Sequence, residues 1–210
     1  MRKGIGICCI LLGVVCLLAS AGFIVYNILE SQNGAKISRT LLQEVRGEME
    51  QSAHNEPQGS EQTTQEKYPM DLFDTGSREM ATVPVGDYAS IGILSIPVLQ
   101  LELPVLTDWS YKKLKKAPCH YYGSCYESNF VIAAHNYASH FGRLSKLQQG
   151  DLVLFTDAGG EVHCYEVVLL ETLIPTATEE MITSGFDLSL YTCTPGGSSR
   201  VTVRCMRVIP

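Results

Sequence analysis

Short runs of β-forming residues fill the chain from Tyr88 to the C-terminus, and this pattern limits the fold more than any other feature. Glycine, proline or aspartate separates most of the runs, as expected at turns. The predicted strands are 89–96, 101–106, 129–134, 152–155, 162–172, 188–193 and 200–208. Short helical pieces are predicted at 111–115, 141–147 and 178–184. Because no long helix separates the strands, the pattern predicts an all-β fold, a closed or nearly closed barrel.

The strand predicted at 188–193 ends in Cys193, and a Pro-Gly-Gly-Ser-Ser turn leads to Arg200 at the start of the next strand. A cysteine thiolate is well suited to attack a carbonyl carbon. Such an attack needs a group that stabilises the oxyanion, and the Arg200 guanidinium can supply it. This hairpin therefore predicts a nucleophile and an electrostatic partner side by side.

A cysteine nucleophile also needs a histidine from elsewhere in the chain. His135 follows the apolar run 130–134 and precedes Asn136. His140 and His163 are the alternatives, but His163 lies inside a predicted strand and His140 lies in a loop. We therefore predict that His135 is the partner of Cys193.

These residues together resemble the sortases, the membrane-anchored cysteine transpeptidases of Gram-positive bacterial surfaces. Their Thr-Leu-x-Thr-Cys motif is similar to residues 189–193, with Ser189 in place of the first threonine. Their small-residue-His-Asn sequence is similar to 134–136, and their strand arginine is matched by Arg200. The resemblance runs from about Tyr88 to the C-terminus. It implies an eight-stranded sortase-like barrel, so an eighth strand is expected around 117–122.

The resemblance also implies a reaction. Cys193 would attack a carbonyl inside an LPxTG-like sorting motif of a secreted protein, giving a thioester that an amine of a cell-wall precursor or pilin resolves. His135 would transfer the protons, and Arg200 would hold the substrate and the oxyanion with the Thr192 side chain and the Thr194 amide. No cofactor and no metal ligand is implied for this peptidase-type chemistry.

The loop 174–187 precedes the cysteine strand, where the family carries a recognition loop, and it should form part of an apolar groove. Glu179 and Glu180 on this loop are expected to be solvated rather than calcium ligands. Residues 135–136 and 141–144 resemble class B sortases, whereas 192–195 resemble pilus polymerases. The sequence leaves the sortase class and the amine acceptor open.

Residues 4–29 contain no charged side chain, and as a helix they would span about 39 Å, enough to cross a bilayer core. Arg2 and Lys3 precede this segment, so the positive-inside rule puts the N-terminus in the cytoplasm and the rest outside the cell. A cleaved signal peptide is the alternative, since Ala19-Ser20-Ala21 fits a processing site. The apolar run continues to Leu29, which favours an uncleaved, single-pass anchor.

The sequence suggests three parts: an anchor at 1–29, an extracellular tether at 30–85 and a catalytic domain at 86–210. Apolar residues at helical spacing predict a juxtamembrane helix over 37–49, either lying on the membrane or continuing the anchor. Residues 51–67 are polar, and 68–85 could dock as a lid. Because the tether is poor in apolar residues, 86–210 is expected to fold and act alone.

The formal net charge of −6 argues against a nucleic-acid partner, since no basic stripe is present to bind phosphates. Four cysteines lie outside the apolar segment besides Cys193. They are predicted to be core or loop thiols, with a disulfide between two of them left open, and their spacing does not match a zinc site. They are Cys119, Cys125, Cys164 and Cys205.

Two other functions remain open from the sequence. A membrane-tethered cysteine hydrolase would use the same residues but let water resolve the thioester. A non-enzymatic surface β-barrel would leave Cys193 inert and dispensable.

Overall fold

The computed structural model describes residues 2–54 and 78–209. Its first element is a continuous helix, α1 (Arg2–His54), which at about 1.5 Å per residue is roughly 80 Å long. The large apolar side chains described between Ile10 and Leu29 are exposed, whereas several side chains from Glu30 onward are covered by the rest of the chain. By length and composition, the described residues contain one helix able to cross a membrane, and it is α1. The predicted juxtamembrane helix thus continues the apolar segment.

Nine strands follow in residues 78–209, and eight of them close into a barrel. The hydrogen-bonded order is β2-β3-β4-β5-β8-β9-β7-β6, and β6 pairs back onto β2, while β1 adds an edge to β2. The strands are β1 (Val83–Val85), β2 (Tyr88–Ile96), β3 (Leu101–Leu106), β4 (Cys119–Tyr122), β5 (Phe130–Ala133), β6 (Leu152–Asp157), β7 (Val162–Leu173), β8 (Leu188–Cys193) and β9 (Arg200–Arg207). The closed eight-stranded barrel confirms the predicted fold class.

The strand expected around 117–122 is β4, and the seven strands predicted from the sequence are all present. Two short helices are also confirmed, α2 (Tyr111–Leu114) and α3 (Thr178–Ile182). The short helical piece predicted over 141–147 is confirmed in part, as a 3₁₀ helix at Leu144–Lys146. The Phe141 N–H donates to His135 O and the Gly142 N–H donates to Tyr137 O, so these amides close a loop instead of starting a helix.

Apolar side chains form two cores. The larger fills the barrel, where Phe130, Phe155 and Tyr165 are fully buried. The smaller lies between the barrel and α1, and it includes Leu41 and Val45 of the helix. The helix therefore packs on the barrel through its second half, which its sequence had led us to expect as part of a tether.

The predicted domain boundary at residue 86 remains a prediction, and two observations bear on where it should lie. β1, at 83–85, pairs with β2, and Leu41 and Val45 are buried against the barrel. Most of the polar segment 51–67 and the first half of the suggested lid at 68–85 lie outside the described residues.

Candidate functional site

Strand β8 lies between β5 and β9, and its last residue is Cys193. On one side Cys193 pairs directly with Arg200 of β9. On the other side, β5 runs parallel to β8, and Ala133 is the partner of Tyr191. His135 lies two residues after Ala133, and Cys193 lies two residues after Tyr191. The sheet therefore places Cys193, His135 and Arg200 at the same end of the barrel.

Two hydrogen bonds extend the β5–β8 pairing toward His135. The Ala134 N–H donates to Tyr191 O at 3.2 Å, and the Thr192 hydroxyl donates to Ala134 O at 2.9 Å. Thr192 is 3% exposed, so its hydroxyl faces the protein rather than the solvent. These bonds fix the main chain just before the imidazole.

The turn after Cys193 is held by Thr194. Its N–H donates to Ser199 O at 3.0 Å, and its side-chain oxygen accepts from the Ser199 N–H at 3.1 Å. Gly196 and Gly197 have φ of +85° and +76°, values that favour glycine. The Thr192 hydroxyl and the Thr194 amide are thus both engaged within the protein, and their predicted oxyanion role would require these bonds to break.

Cys193 is exposed, and within residues 78–209 no hydrogen bond reaches its Sγ. Arg200 is half-buried, and its Nη1 donates to Gly197 O at 3.2 Å and to Ser199 O at 3.1 Å. The guanidinium therefore lies along the turn, and its Nη2 makes no hydrogen bond to the described residues. Both side chains line one cleft of about 180 Å³.

His135 is half-buried and stacks on Tyr137, with ring centroids 4.0 Å apart and an interplanar angle of 21°. Its Nδ1 is buried and has no partner among the described residues. Burial lowers the pKa of His135 below its ordinary value, and the positive charge of Lys115 acts in the same direction, while Asn136 and Glu30 oppose it. The neutral imidazole is thereby favoured near pH 7.

The alternative histidines lie elsewhere. His140 is fully buried, and burial lowers its pKa to about 4. His163 contacts Arg207, seven residues along β9 from Arg200, which at about 3.3 Å per residue is roughly 23 Å from the Cys193 end. None of the three histidines lines the cleft that holds Cys193 and Arg200, but His135 lines a groove with Pro195 and Gly196 of the turn after Cys193.

An aromatic wall forms one side of this cleft, and the sequence analysis did not predict it. The Tyr121 ring lies between those of Trp109 and Tyr191, with centroids 5.7 and 5.4 Å away. The opposite wall contains Ile174, Pro175 and Met181 from the loop before β8. The expected contribution of loop 174–187 is thus seen in the cleft, whereas the aromatic residues carry no local signal because they come from three separate elements.

A second group of reactive side chains lies at the far end of the barrel. Ligand atoms of Cys125, Asp157 and His163, all buried, come within 4.8 Å of one another. Asp157 already accepts from the Tyr126 hydroxyl at 2.6 Å and from His163 Nε2 at 3.3 Å, and Arg207 donates to the Cys125 carbonyl. Internal hydrogen bonds and a neighbouring guanidinium therefore hold this group, and a cation would have to displace them.

All four cysteines that the sequence left open for a disulfide are free thiols in the structure. Burial raises the pKa of Cys119, Cys125 and Cys205 to about 12, so these three stay protonated and unreactive. Cys193 is the exposed thiol of the described barrel.

The barrel thus carries an exposed thiol paired with an arginine, and a histidine at the same end. These are the elements of a cysteine-nucleophile site. Residues 94–208, more than half of the chain, match the family model described as Sortase domain. The chain belongs to the sortase family.

Several solved sortase structures are similar to this chain. Sortase A from Corynebacterium diphtheriae is 26% identical with a TM-score of 0.54, over 59% of this chain and 63% of that one. Sortase C from Clostridium perfringens SM101 is 25% identical with a TM-score of 0.52, over 60% and 72%. Sortase C1 from Streptococcus suis is 30% identical with a TM-score of 0.51, over 58% and 74%.

The match to the diphtheria structure spans less than two thirds of that protein's length. No curated protein matches the chain. The structural relatives include both A and C types, so they do not select one sortase class for this chain.

Proposed function

We propose that this chain is a cysteine transpeptidase that cleaves a sorting motif and joins the new carboxyl end to an amine. One observation carries the proposal: β8 places Cys193 between the chain that leads to His135 and the strand that begins at Arg200. Membership of the sortase family supports the same chemistry. The catalytic roles given to these three residues belong to the proposal.

The first step forms a thioester. Neutral His135 takes the proton of the Cys193 thiol as Sγ attacks the substrate carbonyl; the C–N bond then breaks, and the imidazolium so formed gives that proton to the departing amine. Arg200 stabilises the negative charge on the carbonyl oxygen, using guanidinium N–H groups turned from the hairpin toward the cleft. The second step reverses these roles: an amine loses a proton to neutral His135, attacks the thioester and releases the thiol.

The cleft favours an apolar peptide. Its walls are the aromatic residues around Tyr121 and the loop residues Ile174, Pro175 and Met181. An LPxTG-like motif supplies a leucine and a proline for such walls, and the neutral threonine and glycine need no charged partner. The proposed substrates are secreted proteins with this motif, and the acceptor is an amine of a cell-wall precursor or pilin.

The same proposal places the protein at the cell surface. The apolar part of α1 would cross the membrane once, with Arg2 and Lys3 in the cytoplasm and the barrel outside. Sorting-motif proteins would then meet the site as they leave the membrane.

Product analysis tests the reaction. The full chain in detergent micelles is incubated with sorting-motif peptides, with and without amines such as triglycine and a lysine peptide, and products are identified by mass spectrometry. We expect amide products when amine is present, with Cys193→Ala inactive and Cys164→Ala active. Cys164 is a matched control, a half-buried thiol on β7 opposite Leu154. Release of acid alone at every amine concentration would favour the hydrolase, and activity in Cys193→Ala would reject both.

A further inference from the structure

We propose that α1, besides its role as an anchor, positions the candidate catalytic histidine: the helix backbone at Gly34 supports Tyr137, and Tyr137 supports His135. The inference rests on the proposed function for the role of His135. Tyr137 is accordingly a positioning residue.

The contact between α1 and Tyr137 depends on a glycine. Gly34 is buried, and a Cβ at this position would lie 3.0 Å from the Tyr137 ring and 2.8 Å from the Lys115 carbonyl oxygen. The helix backbone therefore lies directly against the ring. Any larger residue would have to push the helix, the ring or the Lys115 main chain aside.

The contact continues to the imidazole. Tyr137 is 8% exposed, and its ring stacks on His135 with centroids 4.0 Å apart. The buried Tyr137 hydroxyl and His135 Nδ1 have no hydrogen-bond partner in the described chain. Packing, rather than a hydrogen bond to either of these atoms, thus holds the two rings together, and the Cδ2 and Cε2 atoms of the tyrosine ring lie toward α1.

The surrounding main chain leaves the rings little other freedom. The Phe141 and Gly142 N–H groups donate to His135 O and Tyr137 O, closing the loop that carries both side chains. Glu30, one helical turn before Gly34, forms an ion pair with Lys115, the residue whose carbonyl oxygen lies against Gly34. The helix is therefore held on this face at two successive turns.

The helix supports the imidazole without sealing the site. A groove of about 720 Å³ separates residues 23–32 of α1 from His135 and from Pro195 and Gly196 of the turn after Cys193. A covering segment would fill this space. The helix therefore contacts Tyr137 and leaves His135 open to this groove.

A matched pair of helix variants tests the proposal in the full chain in detergent micelles. Gly34→Ala introduces the crowded Cβ, whereas Gly47→Ala makes the same change on α1 where a Cβ meets nothing within 4 Å. Displacement of a reacting group by about 1 Å can cost about 10²-fold in rate. We expect kcat to fall at least about tenfold in Gly34→Ala with KM nearly unchanged, and Gly47→Ala to match the wild type.

The titration of His135 gives a readout that does not depend on activity. The charged and titratable groups facing the ring are Glu30, Lys115, Tyr137 and His140. If Gly34→Ala moves the helix and opens the site to water, the NMR-measured pKa of His135 will rise toward its ordinary value, because solvent stabilises the imidazolium. The pKa of His135 in Gly47→Ala should equal its value in the wild type.

A second pair of variants, at Tyr137, tests the proposal even if Gly34→Ala misfolds. Tyr137→Leu removes the stacked ring, and Tyr137→Phe keeps it while deleting a hydroxyl that has no partner. Tyr137→Phe should restore most of the turnover lost in Tyr137→Leu. The proposal is overturned if Gly34→Ala equals Gly47→Ala in both kcat and His135 titration, or if either disruptive variant is faster than the wild type. An inactive wild type with the expected change in titration would instead reject the proposed function and keep the helix contact.

Discussion

Arg200 and Arg204 stand four residues apart on β9, and their partners differ. Arg200 is half-buried and donates only to carbonyls of its own turn. Arg204 is 2% exposed and donates to Glu171 Oε1 at 2.7 Å, to Ser189 Oγ at 2.8 Å and to the Glu180 carbonyl at 2.7 Å. The first guanidinium can turn to a substrate, and the second is committed to the fold.

Arg200→Lys therefore tests the oxyanion role. An ammonium cannot form the two parallel hydrogen bonds that a guanidinium offers, and loss of one oxyanion donor costs about 10²- to 10³-fold in rate. We expect single-turnover acylation by a sorting peptide to slow by about 10²-fold. Arg78→Lys, at the far end of the barrel beside Glu161, is the control. A loss of less than about threefold in Arg200→Lys would reduce its role to that of a point charge.

His140 makes stability depend on pH. Its ring is fully buried and neither nitrogen makes a hydrogen bond of normal geometry to the described residues, so burial lowers its pKa from 6.5 to about 4, with backbone groups of Gly34 and Leu114 opposing only in part. The unfolded chain binds a proton as pH falls through about 6.5, but the folded chain resists until about 4. Stability is therefore lost across this window, by about 3 kcal/mol. Urea unfolding of residues 31–210 should show a flatter pH dependence in His140→Leu, and parallel curves would contradict this account.

The sequence predicted Cys193, His135 and Arg200 from short local patterns, since each stands at the end of a strand with a recognisable neighbourhood. It could not predict the partners of Arg204. Glu180 precedes Arg204 by 24 residues, and only the path of the folded loop brings its carbonyl to the guanidinium. The same holds for Tyr137, whose role depends on a helix about 100 residues earlier in the chain.

At the scale of elements, α3 connects the buried arginine to the cleft. Arg204 donates to the carbonyls of Glu180 and Met181, while the Met181 side chain lines the cleft with Cys193. A helix of five residues has little stability of its own, so these bonds decide its position.

Arg204→Ala should therefore weaken peptide binding. Without the guanidinium, α3 loses its attachment and one wall of the cleft becomes mobile. We expect KM for a sorting peptide to rise at least about fivefold, kcat to change less, and hydrogen exchange of 178–182 to speed up. Arg78→Ala should change none of these. An unchanged KM together with unchanged exchange would show that α3 is held by other contacts.

The alternation of apolar and polar residues, together with the turn residues, was enough to predict the strands of the barrel. It was not enough to predict where α1 packs. The polar composition of residues 51–67 led us to expect a tether over the whole of 30–85. In the structure, however, Leu41 and Val45 share an apolar cluster with Val83 and Val85 of β1. Helical spacing predicted that a helix forms there, and it cannot say which surface the helix covers.

At the scale of the whole molecule, the packing of α1 and β1 on the barrel leads us to predict that 86–210 is less stable alone than with these elements. Among the described residues, removing α1 and β1 deletes four buried apolar side chains, Leu41, Val45, Val83 and Val85. At about 1.5 to 3 kcal/mol for each, the loss rivals the 5 to 15 kcal/mol that typically stabilises a domain. Residues 31–210 should unfold cooperatively at clearly higher urea than 86–210. Equal urea midpoints for the two fragments would contradict this prediction and support a domain boundary at residue 86.

The central claim is that Cys193 is the nucleophile, and intact-protein mass spectrometry of the full chain tests it most directly. A sorting-motif peptide is added without amine and the reaction is quenched in acid within the first turnover. The account predicts an added mass equal to the acyl half of the peptide, located at Cys193 by digestion, present in Cys164→Ala and absent from Cys193→Ala. The adduct should disappear when amine is added, as the amide product forms. An adduct that persists in Cys193→Ala, or that maps to another cysteine, would contradict the account.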